Sequence, residues 1–127
     1  MAWAADNPPR ILVVDADPAL LGLLEAWLSA QGLSVLAEDG GDEPGRNDFD
    51  LVVVDVPLPR HRGLIQLKGV AERHPGVPIL ALSSSFFAGV AGAGLVARAL
   101  GVAGALAKPL SREALVTAVN RLLDAPK

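Results

Sequence analysis

The chain has 127 residues, no cysteine and a net charge of -3, which suits one domain able to bury a core without disulfides or thiolate metal sites. Hydrophobic residues make up 51% and aromatics only 4%, so the core must come from Val, Leu, Ile and Ala, the usual filling of a parallel sheet covered on both faces. The pI near 5.2 and scattered Lys and Arg leave no basic stripe for nucleic-acid phosphates, and no stretch reaches the ~18 uninterrupted apolar residues of a membrane helix.

Residues 1–9 carry no basic segment followed by an apolar run, so they read as a flexible tail rather than a leader, ahead of one folded domain over residues 10–124. Residues 11–14 are a short apolar run with strand character. Residues 18–31 follow as a helix, with Asp17 as a candidate cap, Pro18 in the first turn, and Leu20, Leu24, Trp27 and Leu28 at helical spacing. A weaker strand over 33–37 is set off by Gly32 before it and Gly40-Gly41 after it. Residues 40–48 are poor helix material, with Pro44-Gly45 and almost no apolar face, so the second crossover is expected to be degenerate. Residues 51–54 form the next strand, 63–74 a helix ended by Pro75-Gly76, and 79–82 a fourth strand. A helix over 86–100 is weakened by Gly89, Gly92 and Gly94, each costing up to ~1 kcal/mol against Ala. A fifth strand over 103–107 and a helix over 111–123, capped by Ser111 and carrying Leu115, Val119, Leu122 and Leu123, close the chain. Strands alternating with helical segments are the signature of βα units feeding a parallel sheet.

Ligands of open α/β sheets collect at the carboxyl ends of the strands. Asp15 and Asp17 follow the first strand, Asp55 the third, Ser83 and Ser84 the fourth, and Lys108 the fifth. A carboxylate at such an end can attack a phosphoryl group when a nearby Lys and hydroxyl screen the charge. Asp15 or Asp17 taken singly can equally be a helix cap or an Asx turn. Asp55 is less easily explained that way, because Pro57 and Pro59 follow it and no helix starts there.

Four stretches carry a resemblance to a known family. Ile11-Leu-Val-Val-Asp-Ala-Asp-Pro18 resembles the opening strand and acidic pocket of response-regulator receiver domains, and Asp50-Leu-Val-Val-Val-Asp-Val-Pro-Leu-Pro59 resembles their phosphoacceptor strand and loop. Pro78-Ile-Leu-Ala-Leu-Ser-Ser84 and Gly104-Ala-Leu-Ala-Lys-Pro109 resemble the family's switch hydroxyl and Lys-Pro motifs. The resemblance implies a flavodoxin-like, doubly wound, five-stranded parallel sheet of order 2-1-3-4-5 in a three-layer (βα)5 sandwich. It also implies a cytoplasmic phosphoacceptor signalling domain of two-component systems, not an enzyme beyond assisting its own phosphoryl transfer and autodephosphorylation. Asp55 would accept the phosphoryl group from a histidine kinase or phosphotransfer protein, Ser83 would hydrogen-bond it and Lys108 would neutralise it. Mg²⁺ would be held by Asp15, Asp55 and the Pro57 backbone carbonyl.

The family pattern also breaks. Receivers carry two adjacent acids after the first strand, and here that pair is Asp15-Ala16, so a direct Mg²⁺ ligand is missing and binding should be weak. Asp17 is either a substitute ligand or the cap of the first helix. Ala105 stands where the family has a switch aromatic, with Phe86 or Phe87 as possible replacements, and Arg62 stands where an acid normally precedes the loop glycine. One alternative is therefore a pseudo-receiver, a protein-binding module that no longer depends on phosphorylation. Another is a phosphatase similar to the haloacid dehalogenase superfamily with Asp15 as nucleophile. That alternative needs an acidic pair after the Lys, where only Glu113 and Asp124 follow, and it leaves Asp55 without a role.

The segment 86–100 has a single charged residue, Arg98, and the last helix carries Val116 beside its core face, an apolar surface that suggests association. The resemblance places a homodimer or output surface on the last two helices and the strand between them. Direct contact with nucleic acid or membrane is not expected. His61 and His74 are expected to be solvated, and Trp27 at least partly buried.

Overall fold

The computed structural model describes residues 8–14, 17–38, 49–56, 61–83, 102–107 and 111–124. Its elements run β1 (Arg10–Val14), α1 (Pro18–Ser29), β2 (Ser34–Glu38), β3 (Leu51–Asp55), α2 (His61–Arg73), β4 (Ile79–Ser83), β5 (Gly104–Ala107) and α3 (Arg112–Asp124). The predicted crossover over 40–48 and helix over 86–100 lie outside the described residues. The five strands form one parallel sheet in the order β2-β1-β3-β4-β5, the expected doubly wound arrangement.

Alternation along the strands divides the core into two layers, because successive side chains leave a strand on opposite faces. Ile11, Val13, Leu51, Val53, Leu80 and Leu82 face one way and pack with Leu20, Leu24 and Leu28 of α1 and Leu115 and Val119 of α3. Leu12, Val14, Val52, Val54, Ile79 and Ala81 face the other way and pack with Leu67 and Val70 of α2 and with Phe49. β3 is buried along its whole length, which is why Leu51 to Val54 form a continuous apolar run rather than an alternating one before the terminal Asp55. Trp27 is half-buried against the α1 side of the core, as expected.

The ends of α1 follow from local chemistry. Asp17 has an extended backbone, and its Oδ1 accepts a 2.7 Å hydrogen bond from the Leu20 N–H. At the other end the Gly32 N–H donates to the Ser29 carbonyl at 3.0 Å and the Leu33 N–H to the Leu28 carbonyl at 3.2 Å. That pairing requires a left-handed residue, and Gly32 supplies it with φ of 84°. The exit takes residues 30–33 out of both elements, so α1 ends at Ser29 rather than 31, and β2 starts at Ser34 rather than 33. Ser111 caps α3 as expected, its Oγ accepting from the Ala114 N–H at 3.0 Å.

Contrary to expectation, His74 is not solvated; it is 6% exposed and meets Phe49 edge-on with ring centroids 5.9 Å apart. It lies four residues beyond Val70 and seven beyond Leu67, so it continues the buried stripe of α2 past the helix end. Arg10 completes the stack, its guanidinium carbon 5.4 Å from the Phe49 ring centre. The backbone nearby is closed by Arg10 N–H donating to Asp50 Oδ2 and Asp50 N–H donating to the Arg10 carbonyl, both at 2.8 Å.

Two glycines, one in α1 and one just after it, make opposite demands on the backbone. Gly32→Ala puts a side chain at positive φ and should cost about 1 kcal/mol or more. Gly22 lies in the exposed face of α1, where an added Cβ meets nothing within 4 Å, so Gly22→Ala should gain up to ~1 kcal/mol of helix propensity. Urea unfolding should shift the midpoint down for the first variant and up for the second.

Candidate functional site

Asp55 and the backbone of Ser83 stand at the carboxyl edge of the sheet. β3 ends in Asp55, whose Cα pairs with Leu82, and β4 ends one position further on at Ser83, paired with Ala107 of β5. β1 ends at Val14, paired with Val54. The backbones that precede Asp15 and Lys108 in the chain therefore finish beside the backbones of Asp55 and Ser83. Asp15, Ala16, Pro57, Lys108, Pro109, Phe86 and Phe87 themselves lie outside the described residues, as does the side chain of Ser83.

Asp55 is 8% exposed, a carboxylate at the rim of a sheet otherwise filled by Val and Leu. A carboxyl group in that position carries a desolvation cost that a cation or a hydrogen-bonding partner has to offset. The backbone around it is held from two sides. The Val56 N–H donates to the Leu82 carbonyl at 2.7 Å, continuing the ladder to β4. From α2, Gln66 Nε2 donates to the Asp55 carbonyl at 3.0 Å. Sequence reasoning did not single out Gln66. The available signal was a polar residue four positions before Val70 and next to Leu67, at the margin of the apolar stripe on the helix that follows Asp55.

Asp17 serves as the cap of α1. Its Oδ1 is used by the Leu20 N–H and the residue is exposed. Ala105, expected from the resemblance to stand where the family has a switch aromatic, is buried in β5 opposite Ala81. For Mg²⁺, a hard ion that takes oxygen ligands, the Asp55 carboxylate is a chemically suitable donor. Among the described residues no three acidic or His side chains cluster closely enough to hold a metal alone.

The family model of the response regulator receiver domain matches residues 11–120. The chain belongs to this family. Among its relatives are the transcriptional regulatory protein GlrR of Escherichia coli (strain K12), 31% identical over 122 residues, which cover 93% of this chain and 27% of the relative. The response regulator MprA of Mycobacterium sp. (strain KMS) is 38% identical over 120 residues, covering 91% of this chain and 51% of the relative. This receiver domain thus spans about a quarter to a half of the length of these curated relatives. Among solved structures, the non-phosphorylated HemR receiver domain from Leptospira biflexa superposes with a TM-score of 0.73 at 26% identity, covering 94% of this chain and 97% of that one.

Receiver domains are signalling domains, generally not enzymes; they interact with histidine kinases or phosphotransfer proteins and generally bind Mg²⁺. No helix among the described residues of this one is long and apolar enough to cross a membrane.

The capping role of Asp17 is separable by substitution. Asp17→Ala should lose about 1 kcal/mol, and Asp17→Asn, which keeps the acceptor, should stay close to wild type in urea unfolding. A loss of equal size in both variants would point to a role for the charge instead.

Proposed function

We propose that this receiver domain accepts a phosphoryl group on Asp55 from a histidine kinase or phosphotransfer protein, and that it does so in the cytoplasm. The observation that carries the proposal is the placement of Asp55, a buried carboxylate ending the central strand at the carboxyl edge of the sheet. In the step envisaged, one carboxylate oxygen of Asp55 forms a bond to phosphorus. The bond from phosphorus to the donor atom breaks, an imidazole nitrogen of a phosphohistidine or an oxygen of an acyl phosphate, and the donor leaves with the electron pair. The protein's contribution is positioning and charge neutralisation. Lys108 would neutralise the phosphoryl oxygens and Ser83 would hydrogen-bond them.

Mg²⁺, when bound, supplies further neutralisation of the transferring group. Asp15, Asp55 and the Pro57 carbonyl would hold it. Ala16 contributes no ligand, and the cap bond already made by Asp17 Oδ1 favours water over Asp17 at the position left open. The expected affinity is accordingly low. The output assigned to the whole of a longer regulator is not carried over to this chain. Self-association through β5, α3 and the segment 86–100 belongs to the same proposal, supported by the half-buried Val116 beside the core face of α3.

A second reading is favoured by Ala105. With a methyl group at that buried position, no aromatic rotamer there can report the state of Asp55. On this reading the domain is a pseudo-receiver that binds a partner regardless of phosphorylation.

Intact-protein mass after incubation with acetyl phosphate, with and without millimolar Mg²⁺, separates the two. The expected result is a Mg²⁺-dependent gain of one phosphoryl group that disappears in Asp55→Asn. A folded protein that gains no mass under any condition establishes the pseudo-receiver instead.

A further inference from the structure

The hydrogen bond from Gln66 links the backbone of Asp55 to the helix that follows it, and no part of the phosphoryl-transfer chemistry above uses it. Resting on the phosphoacceptor reading of Asp55, we propose that Gln66 is a positioning residue, which fixes the Asp55–Val56 peptide through its carbonyl and so sets the direction in which the Asp55 carboxylate meets the phosphorus.

The peptide unit that joins Asp55 to Val56 is held from two elements. On the β4 side the same peptide unit is already committed, because its N–H, that of Val56, donates to the Leu82 carbonyl at 2.7 Å. The side-chain amide of Gln66, at 3.0 Å, therefore holds the oxygen end of a peptide plane whose nitrogen end is held by the sheet.

The donor is itself well anchored. Its neighbours Leu67 and Val70 are 2% and 1% exposed and pack with Val54 and Val56, the residues on either side of Asp55. Holding both ends of one peptide plane restricts rotation about the Cα–C bond of Asp55, and orientation of a nucleophile is one of the few things a receiver can contribute to phosphoryl transfer. The same bond ties any backbone adjustment at Asp55 to α2.

The test compares Gln66→Met, which fills similar space without a donor, with Gln66→Glu, which presents an acceptor to the carbonyl. For each, the rate of phosphorylation of Asp55 by acetyl phosphate is measured by intact mass as a function of donor concentration at fixed Mg²⁺, beside urea unfolding and the amide ¹⁵N resonance of Val56. The expected result is a maximal rate about two- to tenfold lower in Gln66→Met, the loss of one hydrogen bond, and lower still in Gln66→Glu. The half-saturating donor concentration should be unchanged and the Val56 resonance displaced in both variants.

Wild-type maximal rates in both variants would overturn the role of Gln66 and leave the phosphoacceptor reading standing. So would a slowing that only tracks the unfolded fraction while the Val56 resonance stays in place. A wild-type protein that never gains a phosphoryl group overturns the phosphoacceptor reading, and this proposal with it.

Discussion

Burial of β3 on both faces and pairing of it on both edges is the constraint from which the rest of the structure follows. Leu51 to Val54 have no accessible surface, and each packs against helix or neighbouring strand on its own side of the sheet. Each such side chain contributes roughly 1.5–3 kcal/mol by leaving water, and none can be polar without an unmet desolvation cost. The first position along β3 where a charged group becomes tolerable is the rim, and Asp55 occupies it at 8% exposure. The burial that makes the strand apolar also makes its terminal carboxylate conspicuous and holds its backbone on a rigid element.

The two core layers divide the work around that position. α1 and α3 close one face, where the sheet contributes Ile11, Val13, Leu51, Val53, Leu80 and Leu82, while α2 meets the residues of opposite parity on the other. The amide of Gln66 ties α2 to the Asp55 backbone, whereas the cap at Asp17 is a bond within the first turn of α1. A substitution in α2 thus reaches the carboxyl edge through the Asp55 carbonyl.

Much of this was legible in the sequence because it depends on patterns of one residue class. β1, β3 and β4 announce themselves as runs rich in Val, Leu and Ile, and the parallel order follows from the resemblance that the flanking Asp, Ser and Lys carry. What was not legible depends on partners distant in sequence. His74 looks like a solvated helix-end residue until Phe49, contributed by the approach to β3, is placed against it. Gln66 is an ordinary helix residue until the carbonyl of Asp55 comes within 3.0 Å of its amide. Asp17 was ambiguous because a carboxylate next to Pro18 suits a cap and a metal equally, and only the bond to the Leu20 N–H separates the two. The Gly32 exit shifts the neighbouring boundaries by one or two residues, since the turn is paid out of the last residues of α1 and the first of β2.

The strand order also has a consequence for how the chain is made. β2, β1 and β3 are spatial neighbours and all lie within residues 10–55, whereas β4 and β5 add outward from β3. On a ribosome, chain emerges from the N-terminal side at roughly 5–20 residues per second. The three-stranded half of the sheet is therefore synthesised before β4 exists, by a lead on the order of seconds. During that interval the edge of β3 that will receive β4 is open. A nascent receiver would thus expose the edge of an apolar strand that bears Asp55, which makes the stretch between β3 and β4 the period in which aggregation or chaperone capture competes most directly with completion of the sheet.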